Sequence, residues 1–157
     1  MHVEIQRQIE LPGIPDNQTL SRFVAAVISG NDSGALCLRI VDEAEGRALN
    51  LQWRGKDYAT NVLSFAAGTP VGVPAAAVPN LLGDIVLCAP VIAREAQMQG
   101  KALEHHWAHL IVHGILHLRG HDHVEPHSAA LMEQVERDCL AQLAIPDPYA
   151  DESDLGS

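Results

Sequence analysis

The sequence predicts a single-domain α+β fold in which a small sheet of about four strands packs with about five helices, the central one bearing a metal site. Strand-like segments dominate the chain as far as Cys88, whereas the segment from Val91 to Leu143 reads as three helices. A chain of 157 residues, 47% of them apolar, can build one real hydrophobic core. With no internal repeat, the domain is expected to span residues 1–146, and 147–157 form an acidic, proline-containing, flexible tail.

Alternation from Val3 to Leu11 predicts a first strand, which Pro12 and Pro15 interrupt. Asp16 or Asn17 caps a helix carrying Leu20, Phe23, Val24, Val27 and Ile28 on one face. Ala35 to Val41 reads as a buried strand, and Asp42 caps a short helix through Leu51 whose pattern Gly46 weakens. Asn61–Phe65 and Asp84–Cys88 are two further strands, joined by a proline- and alanine-rich connection, Ala66 to Asn80, long enough to suggest function or mobility. The helices follow at Val91–Gln99, ended by Gly100, at Ala102–Leu118, and at Ser128–Leu143, introduced by Pro126. The middle one is apolar over most of its circumference (Leu103, Trp107, Leu110, Ile111, Ile115, Leu116), which places it at the centre of the fold.

The net charge of −10 argues against broad electrostatic attachment to nucleic acid, so any phosphate contact must be local. No apolar run approaches the roughly 18 to 20 residues that span a bilayer, and the polar start Met1-His2-Val3-Glu4 lacks a signal-peptide pattern, so the chain reads as cytoplasmic with no membrane partner. Cys37, Cys88 and Cys139 are odd in number, widely spaced and without C-x-x-C spacing, which suits buried thiols in a reducing compartment better than a disulfide frame or zinc knuckle.

The chemistry sits in His113-Gly114-Ile115-Leu116-His117-Leu118-Arg119-Gly120-His121-Asp122-His123. Helical residues four apart differ by about 40° in direction and about 6 Å in height, so His113 and His117 project from one face toward one ion. A straight continuation would carry His123 about 15 Å away, whereas zinc–nitrogen bonds are only about 2.0–2.1 Å. The chain must turn back, and Gly120 provides a left-handed helix stop. The predicted ligands of one Zn2+ ion are therefore His113, His117 and His123, with His113 also counted as catalytic.

The spacing H-x3-H-x2-G-x2-H is metzincin-like, but Gly114 replaces the glutamate that serves as base in H-E-x-x-H proteases. Three neutral histidines would leave a coordination position free for other chemistry. His105, His109, His113 and His117 form a stripe, yet three consecutive members span about 12 Å and cannot converge on one ion. His109 is therefore expected to support or pack, His105 and His106 to lie near the helix start, and Asp122 to orient a ligand imidazole or sit solvated in the turn. Trp53-Arg54-Gly55-Lys56-Asp57-Tyr58 is the best local phosphate candidate; taken alone it also reads as a solvated turn with one core-packing tryptophan.

Five motifs in order resemble the YbeY-type bacterial endoribonucleases, metal-dependent rRNA maturation factors, from about residue 36 to 149. They are Leu49-Asn50-Leu51-Gln52-Trp53-Arg54-Gly55-Lys56-Asp57, Thr60-Asn61-Val62-Leu63-Ser64-Phe65, Leu82-Gly83-Asp84-Ile85, His106-Trp107-Ala108-His109 and the histidine run. Two positions depart from the family pattern: Ala66 stands where a proline is usual, and His121 where a tyrosine is common. The resemblance implies zinc at His113, His117 and His123, and a functional Arg54. It also implies single-strand-specific cleavage of RNA in 16S rRNA 3′-end maturation and late ribosome quality control, with the small ribosomal subunit or proteins on it as partners.

On that reading the metal acts on a phosphodiester, Arg54 is both catalytic and substrate-binding through its planar fork of donors, and Lys56 assists in binding. Water and the RNA 2′-hydroxyl both remain open as the attacking group. Two other classes compete: a zinc hydrolase of peptide or small-molecule bonds, which Gly114 disfavours, and a ribosome-assembly binding factor whose metal is structural.

Overall fold

A computed structural model describes residues 2–28, 35–66, 81–118 and 126–147. Along the chain run β1 (His2–Arg7), α1 (Asn17–Ala25), β2 (Ala35–Val41), α2 (Glu43–Arg54), β3 (Val62–Ala66), β4 (Leu81–Cys88), α3 (Ala89–Gln99), α4 (Leu103–Leu118) and α5 (Pro126–Gln142). The expected turn at Gly120 to His123, the 67–80 connection and the tail beyond residue 147 lie outside the described residues.

The sheet order is β1-β2-β4-β3. β1, β2 and β4 run parallel, and β3 closes one edge antiparallel to β4. Alternate residues therefore serve two cores. Leu36, Leu38, Ile40, Ile85 and Leu87 face a large core shared with Leu20, Phe23 and Val24 of α1 and the apolar side of α4. Val41, Leu63, Val86 and Cys88 face a smaller core that Leu49 of α2 covers.

α4 touches α1, α3, α5, β3 and β4, so it is central, as its apolar circumference predicts. Trp107 and Ile111 are 1% and 0% exposed, and burying each such side chain contributes roughly 1.5–3 kcal/mol. Gly114 makes close packing against the sheet possible. A Cβ there would lie 3.1 Å from Ser64 Oγ and 3.2 Å from Ile85 Cδ1. Ser64 and Ile85 are register partners on β3 and β4, and Ser64 Oγ donates to the Gly114 carbonyl at 3.1 Å.

Several boundaries differ from the sequence expectation, and three of them have a physical reason in the contacts. β1 stops at Arg7 and not near Leu11, because Gln8 N bonds Ile40 O and β2 gives way to α2 soon afterwards. α2 runs three residues past Leu51 to Arg54. Gly46 does not break it, since that glycine seats the helix on Cys88, whose Sγ would be 3.1 Å from an added Cβ. The stop comes instead at Gly55, in the left-handed region at φ 71°, with Asp42 capping the other end by accepting from Glu45 N at 2.8 Å. β4 begins at Leu81, because Leu81 pairs with Ala35 at the start of β2 before β3 joins at Gly83. All three cysteines are free thiols; Cys88 and Cys139 are buried, as expected, whereas Cys37 is only partly buried, and among the described residues no helix is long and apolar enough to cross a membrane.

Candidate metal centre

The histidine stripe of α4 divides between two sets of partners. His113 and His117 turn their Nε2 atoms toward each other, 3.0 Å apart. On the far side of the His113 ring, Nδ1 lies 2.6 Å from Glu136 Oε1, and Glu136 Oε2 lies 3.1 Å from His109 Nε2. Glu136 comes from α5 and its side chain is 1% exposed. His109, His113 and Glu136 thus form a cluster whose ligand-type atoms fall within 4.8 Å of one another, a donor set able to hold a metal ion.

The hydrogen bonding points to a cation on the other side of the His113 ring, at the Nε2 atoms of His113 and His117. An ionised carboxylate accepts only, so the ring nitrogens facing Glu136 carry protons. The proton on His113 Nδ1 leaves its Nε2 as a lone pair, aimed at the Nε2 of His117. Two imidazole nitrogens 3.0 Å apart need a proton or a metal between them. His123, expected as the third ligand, lies outside the described residues, as do Arg119, His121 and Asp122.

His113 and His117 open onto a cleft of about 610 Å³ that is also lined by Trp53, Arg54, Leu118 and the segment from Thr60 to Phe65. The cleft therefore lies between the end of α2, the edge strand β3 and the second half of α4. None of the described residues lining it is a carboxylate. The position that a protease would give to its glutamate is filled by Gly114, which faces the sheet, where an added Cβ would press on Ser64 and Ile85.

Arg54 is the last residue of α2, not part of a turn, and it is exposed. Arg7, Arg39, Arg47, Arg94 and Arg137 each hold a carboxylate, whereas Arg54 has no such partner among the described residues. Its donors are available to an anion. Buried Asn50 holds the chain that follows, donating from Nδ2 to Tyr58 O at 2.7 Å. Lys56, the other predicted binding residue, is exposed but does not line the cleft.

Behind the cleft, Asn61 Nδ2 donates to Glu95 Oε1 at 2.9 Å, and the same oxygen meets His106 Nε2 at 3.0 Å. Burial alone would raise the Glu95 carboxyl, but the hydrogen bonds from His106 and Asn61 outweigh it and leave the group below the ordinary carboxylate value. His105 and His106 lie in the first turn of α4, as expected, away from the His113–His117 pair.

Sequence reasoning missed Glu136. Its signal was nonetheless present: Met132, Glu136, Cys139 and Leu140 are all buried at helical spacing, so a carboxylate interrupts the apolar stripe of α5. The reading of Trp53 as a core residue also changes, because it belongs to neither hydrophobic cluster and borders the cleft.

Comparisons with known proteins identify the family. A family model described as Endoribonuclease YbeY matches residues 12–144. Endoribonuclease YbeY of Stenotrophomonas maltophilia (strain K279a) is 52% identical over 153 residues, covering 97% of this chain and 95% of the relative. That of Xanthomonas campestris pv. campestris (strain B100) is 51% identical with the same coverage. The solution structure of TM1509 from Thermotoga maritima shares the fold, with a TM-score of 0.57 at 20% identity over 90% of this chain and 91% of that one. With a family model matching residues 12–144 and nearly full-length identity above one half, the chain belongs to the endoribonuclease YbeY family.

Proposed function

We propose that this protein is a zinc-dependent, single-strand-specific endoribonuclease of 16S rRNA 3′-end maturation and late ribosome quality control, acting in the cytoplasm on the small ribosomal subunit. The observation that carries this reading is the meeting of His113 Nε2 and His117 Nε2, 3.0 Å apart, in a cleft that Arg54 also lines. His113, His117 and His123 would hold one Zn2+ ion. When bound, such an ion supplies Lewis-acid polarisation of a phosphodiester.

The remaining work falls to the chain's own residues. Arg54 presents a planar fork of donors to the phosphate and to the charge that grows on it. Glu136 fixes the tautomer and direction of the His113 ring, and His109 holds the second oxygen of Glu136. Because Glu136 meets the Nδ1 side of His113, it stands away from the nitrogen that faces His117, which supports an open site over a closed structural one. The absence of a carboxylate among the described cleft residues, together with Gly114, disfavours a peptide hydrolase.

The test is cleavage of single-stranded RNA carrying the 16S 3′ region, free and within the small subunit. Zinc-loaded protein should cut it, a chelator should stop the reaction, zinc should restore it, and duplex RNA should resist. A 2′,3′-cyclic phosphate end would assign the 2′-hydroxyl as nucleophile, and a 5′-phosphate end would assign water. With a net charge of −10, affinity for free RNA should be weak, and the particle should raise it by supplying docking contacts. Failure of zinc-loaded protein to cut RNA in either form would overturn this reading.

A further inference from the structure

We propose that Trp53, with Phe65 beside it, forms a stacking subsite for one unpaired nucleobase of the substrate, next to the phosphate held by Arg54. This rests on the ribonuclease reading of the cleft and deepens it. Trp53 is half-buried and lines the cleft, yet it packs into neither hydrophobic core. The other tryptophan, Trp107, is 1% exposed in the large core, which is where such a side chain ordinarily finds its stability. A tryptophan kept on the wall of a cleft is an apolar surface awaiting a partner.

Its aromatic neighbour is Phe65, with ring centroids 6.1 Å apart and planes at 68°. An edge-to-face pair of this kind braces the two rings and leaves ring face turned away from the contact. The backbone places the pair reproducibly: Trp53 sits in the last turn of α2 before the left-handed Gly55 stop, and Phe65 sits on β3 opposite Asp84. Arg54 follows Trp53 directly, about 100° further around the helix. One residue then meets a base while the next meets the backbone of the same strand.

The partner's chemistry follows from the rest of the cleft. A volume of about 610 Å³ exceeds the needs of an ion and one phosphate and is typical of sites that enclose a larger ligand. The acidic chain gains little from long-range attraction to RNA, so affinity must come from a contact that is not electrostatic. Base stacking is such a contact, and it tolerates any base because every base has a π-face. A base in a duplex is already stacked on its neighbours, so the subsite admits single strands and excludes helices.

Intrinsic fluorescence tests this directly, since Trp53 is the tryptophan that a cleft ligand can touch. Zinc-loaded full-length protein is titrated with a single-stranded oligonucleotide of the 16S 3′ region carrying 2′-deoxy sugars, and with versions in which one base at a time around the cleavage site is abasic. Wild-type emission should be quenched, and one abasic position should weaken binding roughly 5- to 150-fold, the worth of one base–aromatic stack. Trp53→Leu, whose binding is read from the anisotropy of an end-labelled oligonucleotide because it lacks the cleft fluorophore, should lose the same amount on the intact oligonucleotide and nothing further on that abasic one, with bound metal unchanged. Trp53→Phe should recover most of the affinity.

If Trp53→Leu binds as wild type does, or weakens intact and abasic ligands equally, the stacking subsite is overturned while RNA cleavage by wild type still upholds the nuclease reading. Quenching and the abasic effect without cleavage of ribose-containing RNA would uphold the subsite and overturn the nuclease reading.

Discussion

Glu136 Oε1 lies 2.6 Å from Nδ1 of His113, so a carboxylate on α5 sets the proton position of a histidine on α4. Glu136→Gln should keep the shape but replace an acceptor-only group by an amide, and metal affinity should fall by about 10- to 100-fold. Glu136→Ala should also destabilise the fold by roughly 1–3 kcal/mol, because it leaves partly buried ring N–H groups of His109 and His113 without their acceptor. Chelator competition and thermal unfolding check the two effects separately.

Arg54 makes no carboxylate pair among the described residues, so Arg54→Ala should change stability by no more than about 0.5 kcal/mol and leave metal content intact. RNA cleavage should nevertheless fall by roughly 100-fold or more, the usual loss when a donor to developing charge is removed. Lysine should restore only part of it, since a point charge does not reproduce a two-pronged contact. Single-turnover cleavage beside denaturant unfolding checks this, and an unfolded Arg54→Ala would show the residue to be structural.

Gly114 packs where an added Cβ would lie 3.1 Å from Ser64 Oγ and 3.2 Å from Ile85 Cδ1. Gly114→Ala should cost roughly 1–3 kcal/mol through overpacking against Ser64 and Ile85, a net loss despite alanine's better helix propensity of about 1 kcal/mol. Gly114→Glu should unfold the protein sooner than endow it with protease activity. A Gly114→Ala variant as stable as wild type in urea would show that α4 can move off the sheet.

The Glu95 carboxyl is held below its ordinary value against the opposing effect of burial, by hydrogen bonds from His106 and Asn61. A depressed folded-state pKa contributes stability above the unfolded value of about 4.3, and that contribution disappears as pH falls through the folded value. Glu95→Gln should therefore be less stable than wild type near pH 7, with the gap closing as the pH drops below about 4. Urea midpoints across that range check the sign, and a gap that widens toward acid would contradict it.

What could be read in the chain depended on how local its cause was. The α4 helix was legible because its apolar residues surround it, and the left-handed glycine stop of α3 followed from a single residue, Gly100. Arg54 falls in a turn on the sequence reading because the helix pattern, weakened at Gly46, is followed only to Leu51. The reason for Gly46 is the close approach of Cys88, 42 positions away in sequence, which no local pattern reveals. Glu136 was missed in the same way: its partners lie on another helix, and only the stripe it interrupts marked it out. The pairing of His113 with His117 was visible because both lie on one helix, four residues apart.

The account is tested most directly by tightly bound zinc per chain in His117→Ala set beside His109→Ala, because these two residues separate the Nε2 side of His113 from the Glu136 side. The expected result is that His117→Ala loses most of its zinc, whereas His109→Ala retains it with affinity lowered by no more than about 10- to 100-fold. Full zinc in His117→Ala and none in His109→Ala would place the ion in the His109–His113–Glu136 cluster and contradict the site proposed here.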